Sequence, residues 1–176
     1  MATLILSPNG DYSVQLLPYG AGSGNYGRVN ESSLDTTNGV ETNNDASHDL
    51  TDLYYMQDHS GQIGTISSVT IYAYIQADIL WGAGDEYQIR CNGGAGSLTA
   101  IVGTTGWRSA AFSINPNTAV AWTWSDIDAM VAGERLINTY TDGGKSGAFY
   151  SNPSCAMLYA VVNYTPPSGT LFFALG

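Results

Sequence analysis

Ser67-Ser-Val-Thr-Ile-Tyr-Ala-Tyr-Ile-Gln-Ala77 alternates without a break, placing Val69, Ile71, Ala73 and Ile75 on one face and Thr70, Tyr72, Tyr74 and Gln76 on the other. Successive side chains of an extended chain point to opposite faces, so this pattern of β-branched and aromatic residues specifies a strand with one face in a core. Tyr87-Gln-Ile-Arg-Cys91 repeats it, and Asn92-Gly93-Gly94 follows as a turn that can adopt positive φ. Further strands are expected at 97–102, 108–114, 136–140 and 156–164. Asp49-Leu-Thr-Asp-Leu-Tyr-Tyr-Met56 suggests an early strand with Leu50 out of step.

One segment departs from this period. In Trp122-Thr-Trp-Ser-Asp-Ile-Asp-Ala-Met-Val-Ala-Gly133, Ser125 reads as an N-cap, Asp126 and Asp128 as first-turn acids, and Gly133 as a stop. Ile127, Met130 and Val131 would form the apolar stripe of a short plug helix near 125–132. Between Pro18 and Asp52, Gly, Asn, Ser, Thr and Asp dominate, predicting long loops with at most short strands. The expected fold is therefore all-β: a double-sheet antiparallel β-sandwich, jelly-roll-like, in a single domain over 1–165. Residues 166–176 begin with a Pro-Pro break and form an apolar arm or added strand. Leu171, Phe172, Phe173 and Leu175 are costly to leave in water, so they are candidates for subunit contact or for the chain's own sheet.

Charge excludes several function classes. The 176 residues carry a net charge of −10, and only 11 % are charged. Lys145 is the sole lysine and the four arginines are scattered, so no basic cluster exists to displace counterions from nucleic acid or to meet an anionic membrane. The N-terminus lacks a basic region followed by an apolar run, and no stretch approaches the roughly 20 apolar residues of a membrane span. The surface must be covered largely by neutral polar and aromatic groups, which lose less on desolvation than ions do. Such surfaces suit contacts with copies of the same chain or with sugars.

The residues for catalysis are sparse. His48 and His59 are the only histidines and have no metal-ligand spacing; Ser60 lies beside His59 without a nucleophile-elbow motif. Asp85 and Glu86 are adjacent and would face opposite ways on a strand. The glycine-rich stretches at 20–24 and 93–96 lack phosphate-loop context and read as turns. Asp35, Asp45, Asp49 and Asp52, with Asn43 and Asn44, form an acidic region whose oxygens could suit Ca²⁺, although a solvated loop is the favoured reading. Cys91 and Cys155 are either buried packing thiols or one bridge. Trp81 and Trp107 are the candidates for stacking on sugars, whereas Trp122 and Trp124 flank the short helix and are expected to pack.

Several motifs carry a family resemblance: Ser7-Pro-Asn-Gly-Asp, Tyr26-Gly-Arg-Val-Asn-Glu, Asp52-Leu-Tyr, Val69-Thr-Ile-Tyr-Ala, Ile114-Asn-Pro-Asn-Thr-Ala-Val-Ala-Trp-Thr-Trp, Asp126-Ile-Asp-Ala-Met-Val-Ala-Gly and Val161-Val-Asn-Tyr-Thr-Pro-Pro. In these the chain resembles small structural proteins of tailed phages and related viruses. The resemblance implies a tail-associated, minor capsid or decorating component with a jelly-roll-like domain, no catalytic residues and no cofactor. Its location would be the virion. Its partners would be copies of itself, other virion proteins and host surface glycans. A carbohydrate-binding module of β-sandwich type is the alternative.

Overall fold

A computed structural model describes residues 1–20, 23–42, 47–76, 85–101, 105–138, 141–142, 148–149 and 152–168. Two antiparallel sheets face each other. The first is built from β1 (Ala2–Leu6), β3 (Leu17–Tyr19), β4 (Gly39–Glu41), β6 (Thr65–Gln76), β10 (Gly106–Phe112) and β14 (Ser154–Thr165), in the order β10-β6-β14-β4-β3, with β1 also on β14. The second holds β2 (Pro8–Ser13), β5 (His48–Met56), β7 (Glu86–Cys91), β8 (Gly94–Ala95), β9 (Thr99–Ala100) and β11 (Val131–Asn138), ordered β2-β5-β11-β7-β8, with β9 also on β7. A small ribbon pairs β12 (Thr141–Asp142) with β13 (Ala148–Phe149). The long strands β5, β6, β7, β10, β11 and β14 alternate between the two sheets of this β-sandwich along the chain.

The period-two stretch is the first sheet's centre. β6 pairs with β14 on one side and β10 on the other, and Val69, Ile71, Ala73 and Ile75 are fully buried. They meet Leu158, Ala160 and Val162 from β14 and, across the sandwich, Met56, Ile89 and Leu136. Cys91 and Cys155 are buried, unbridged thiols on opposite sheets, so the packing reading holds. The turn after β7 has Asn92 and Gly93 at φ 45° and 78°, the two consecutive positive values that a tight two-residue hairpin requires.

The helix and its neighbours correct the sequence reading. α1 (Tyr26–Val29) lies in the stretch read as loops, and α2 is Trp124–Asp128, a single turn rather than a helix over 125–132. Its N-cap is Thr123, not Ser125: Thr123 Oγ1 accepts from the Asp126 backbone N–H, and Asp126 Oδ2 accepts from the Thr123 N–H. Val131 and Gly133 belong to β11, because this segment finds ladder partners on both sides, in β5 and β7. Ile127 and Met130 do enter the core, and Trp122 is buried with its Nε1 donating to Phe112 O. Trp124 Nε1 donates to Gly64 O.

Of the expected strands at 97–102 and 136–140, Thr99–Ala100 forms the first and Leu136–Asn138 ends a strand that begins at Val131, while Val102, Thr139 and Tyr140 lie outside the described residues. Gly133 is required where it stands: a Cβ there would collide with the carbonyl of Asp52, a backbone atom held by the β5–β11 ladder. Gly133→Ala is expected to cost about 1–3 kcal/mol through forced separation of the strands. Thermal unfolding checks it; an unchanged midpoint would mean that the two strands are not so closely held.

Candidate functional site

The outer face of the first sheet is the most distinctive surface. Alternation sends Thr70, Tyr72 and Tyr74 of β6 outward, and the registers place Ala111, Ser109 and Trp107 of β10 opposite them on one side. On the other side stand Val161, Tyr159 and Met157 of β14, and Ile5 of β1 lies beyond Val161. A bulge between Cys155 and Met157 maintains this registration while keeping Cys155 and Ala156 both buried.

The aromatic rings brace one another. Tyr72 stacks on Tyr159 with centroids 5.0 Å apart, and Trp107 meets Tyr74 and Tyr159 edge-on, at 5.3 Å to each. Trp107 is 41 % exposed and Ile5 63 %. None of these outward residues is an acid, lysine, arginine or histidine. Glu31 stands at the border, on a shallow groove with Ile5, Met157 and Tyr159. In a chain of net charge −10, an uncharged sheet face with exposed tryptophan and isoleucine is suited to a surface that excludes water on contact.

Of the two stacking candidates, Trp107 is thus on this face, while Trp81 lies outside the described residues. Leu171, Phe172, Phe173 and Leu175 also lie outside them.

The acidic residues separate. Asp49 forms a two-point ion pair with Arg135, Nε and Nη2 each 2.6 Å from a carboxylate oxygen, which holds its pKa below the usual range. Asp35 bonds Thr37 and Asn38, and Asp45, Asn43 and Asn44 lie outside the described residues. Among the described residues no three His, Cys, Asp or Glu side chains converge as for a metal. His59 turns its Nδ1 to Asp128 Oδ1 at 2.6 Å and lies against Trp124, while Ser60 bonds Gln62.

Asp52 departs from the expected solvated loop. It is fully buried on the inward face of β5 together with Tyr54 and Met56, and Leu50 packs on the same side, in step with them. Asp52 Oδ1 accepts from the backbone N–H groups of Gln15 and Leu16 at 2.6 and 2.8 Å. Its Oδ2 accepts from Asn25 Nδ2 at 2.7 Å and lies 3.1 Å from Tyr54 Oη. Tyr54 Oη is also 3.1 Å from Oε1 of Glu134, which is wholly buried on β11 and whose Oε2 has no partner among the described residues.

A tyrosine has one hydroxyl hydrogen, so the three oxygens in this line need a second proton. Asp52, with three N–H donors, is the anion; Glu134 keeps its proton and donates to Tyr54, which donates to Asp52. Burial first, and the Asp52 charge second, push Glu134 well above the usual carboxylic range. Burial raises Asp52 too, opposed by its hydrogen bonds. Both carboxyls are sealed from solvent, so the chemistry open to them is internal proton sharing, not attack on a substrate.

No family model matches the sequence, and no curated protein matches it either. The buried pair was missed in the sequence, yet a signal was present: Asp52 shares parity with Tyr54 and Met56, and Glu134 with Leu136.

Proposed function

We propose that this chain is a non-catalytic structural protein of the exterior of a virion or virus-like filament, assembling through contacts between its own copies. The observation that carries the contact half of this reading is the uncharged part of the first sheet's outer face, formed by β1, β14, β6 and β10, with Trp107 and Ile5 exposed upon it and Glu41 of β4 beyond its border. Copies that each carry −10 repel wherever charged faces meet, so association is favoured through a face that holds none. The viral half rests on the resemblance of the sequence motifs.

The four strands β1, β14, β6 and β10, spaced about 4.8 Å and contributing some six residues each, offer roughly 400 Å² in plan. A stable interface needs about 800 Å² per partner, so more surface must join in. The C-terminal residues Leu171, Phe172, Phe173 and Leu175 are the apolar surface available in the sequence for that.

Light scattering tests the proposal. The full chain is expected as an oligomer. Trp107→Arg, which places a charge on the edge strand of the face against Tyr74 and Tyr159, is expected to shift it to the 18.6 kDa monomer, and a chain ending at Ser168 to weaken association without unfolding. A full chain that stays monomeric at high concentration, or a Trp107→Arg protein of unchanged mass, would overturn it.

Exposure of Trp107 is also what the carbohydrate-binding alternative would need. Its edge-on bracing by two tyrosines suits a packed contact as well as a sugar platform.

A further inference from the structure

A second surface feature lies on the opposite sheet and is independent of the assembly reading. At one end of the outer face of β2-β5-β11-β7, a cleft of about 400 Å³ opens between the sheet, the turn after β7, the 115–120 loop and α2. Leu53, Val131 and Ala129 supply an apolar floor, and Tyr12, 56 % exposed, stands at one wall, held edge-on by Tyr55 at 5.2 Å. Asn92, Asn117 and Asp126 supply the polar groups.

The polar wall is pre-formed. Asn115, 2 % exposed, uses its Oδ1 to accept from the Asn117 backbone N–H at 3.0 Å, and the Asn92 amide group lies 3.4 Å from the same oxygen. Asn92 Oδ1 accepts from the Val131 N–H, locking that side chain to β11. The loop closes through Ala119 N–H to Asn115 O and a bridge between Asn115 and Val120. Among the described residues, the only two non-glycine positions with positive φ are Asn92, at 45°, and Ala119, at 58°, one in each loop around this cleft. Alanine gains nothing from that conformation, so strain is maintained where the loop shapes the cleft. The Asn117 side chain and the Tyr12 hydroxyl make no hydrogen bond within the described residues, leaving both available to a ligand.

We infer that this cleft binds a neutral sugar residue. A pyranose ring has a flat C–H face and a rim of hydroxyls that both donate and accept, and it needs an aromatic or apolar surface flanked by planar amide and carboxylate groups. Tyr12 with the floor provides the first, and Asn117 and Asp126 the second, with Asn92 bracing the two loops between them. The volume lies in the range of small-ligand sites, about 300–1,000 Å³. Asp126 and the chain's net charge disfavour phosphates and acidic sugars, so selectivity for uncharged glycans follows.

The test is an amide-resolved NMR titration of the full chain with methyl glycosides of neutral hexoses and of a sialic acid. Neutral glycosides are expected to move the Asn92, Gly93 and Asn117 resonances. Tyr12→Ala is expected to weaken binding about tenfold, and Asn117→Ala to weaken it without a change in melting temperature. Both residues are exposed and outside the core, so the variants should fold. No shifts at tens of millimolar, shifts confined to Trp107, or preferential binding of the sialoside would each overturn the assignment.

Discussion

Asp52→Ala is expected to destabilise the protein by about 3–5 kcal/mol, the cost of removing one member of a buried hydrogen-bonded charge network. The side chain accepts from the Gln15 and Leu16 N–H groups, for which it is the sole side-chain acceptor among the described residues, and it also holds Asn25 Nδ2. Gln15 and Leu16 lie between β2 and β3, outside any strand, and Asn25 precedes α1, so Asp52 ties these positions to β5 much as a ladder would. At roughly 2–4 °C per kcal/mol for a chain of this size, a fall in Tm of about 6–20 °C follows.

Asp52→Asn keeps one acceptor oxygen for the two backbone donors but sets an NH₂ against Asn25 and Tyr54, so an intermediate loss is expected. Hydrogen exchange in Asp52→Ala should rise first at Gln15 and Leu16. A loss below 1 kcal/mol, or faster exchange spread evenly over the sandwich, would show that the carboxylate does not anchor this segment.

That prediction rests on a residue whose environment the sequence reading misjudged, and the reason is physical. β6, β7 and β14 were legible because each buries one face only, so hydrophobicity and geometry share the same period. In β5 and β11 the inward positions include Asp52 and Glu134, which interrupt the apolar series even though the backbone keeps its alternation. An acid in an inward position reads as surface until the fold shows what satisfies it, here Tyr54 two residues along the same strand and Asn25 at the start of α1.

β2 was concealed differently. Pro8-Asn-Gly-Asp reads as a turn, but an edge strand tolerates proline and bulges, and both occur here against β5. α2 was over-extended because Met130 and Val131 continue a helical stripe; ladder bonds to two neighbours outweigh one more helical turn. The outer aromatic face was partly visible as the second face of β6. The cleft near Asn92 was not, because it gathers residues from β2, β5, β11 and two loops whose proximity depends on topology.

Glu134→Gln is expected to stabilise the protein at neutral pH and to leave it nearly unchanged at pH 4. The folded state keeps the Glu134 proton well above the ordinary carboxylic range, whereas the unfolded chain releases it near the ordinary glutamate value of 4.5. Over the interval between these two values the folded state binds more protons, so stability falls as pH rises. The contribution is fully present below about pH 4.5 and is progressively lost towards the folded pKa. The raised pKa of Asp52 acts in the same direction, so the wild-type protein should be more stable in mild acid than its carboxylates alone would suggest. Glutamine has the same shape, is always neutral and can donate its amide hydrogen to Tyr54 Oη, which preserves the line of hydrogen bonds to Asp52. The difference in Tm between variant and wild type should therefore grow as pH rises above 4.5 towards the folded pKa, at roughly 2–4 °C for each kcal/mol. A difference independent of pH, or a variant less stable at pH 8, would mean that Glu134 is ionised in the folded protein and that Asp52, rather than Glu134, carries the shared proton.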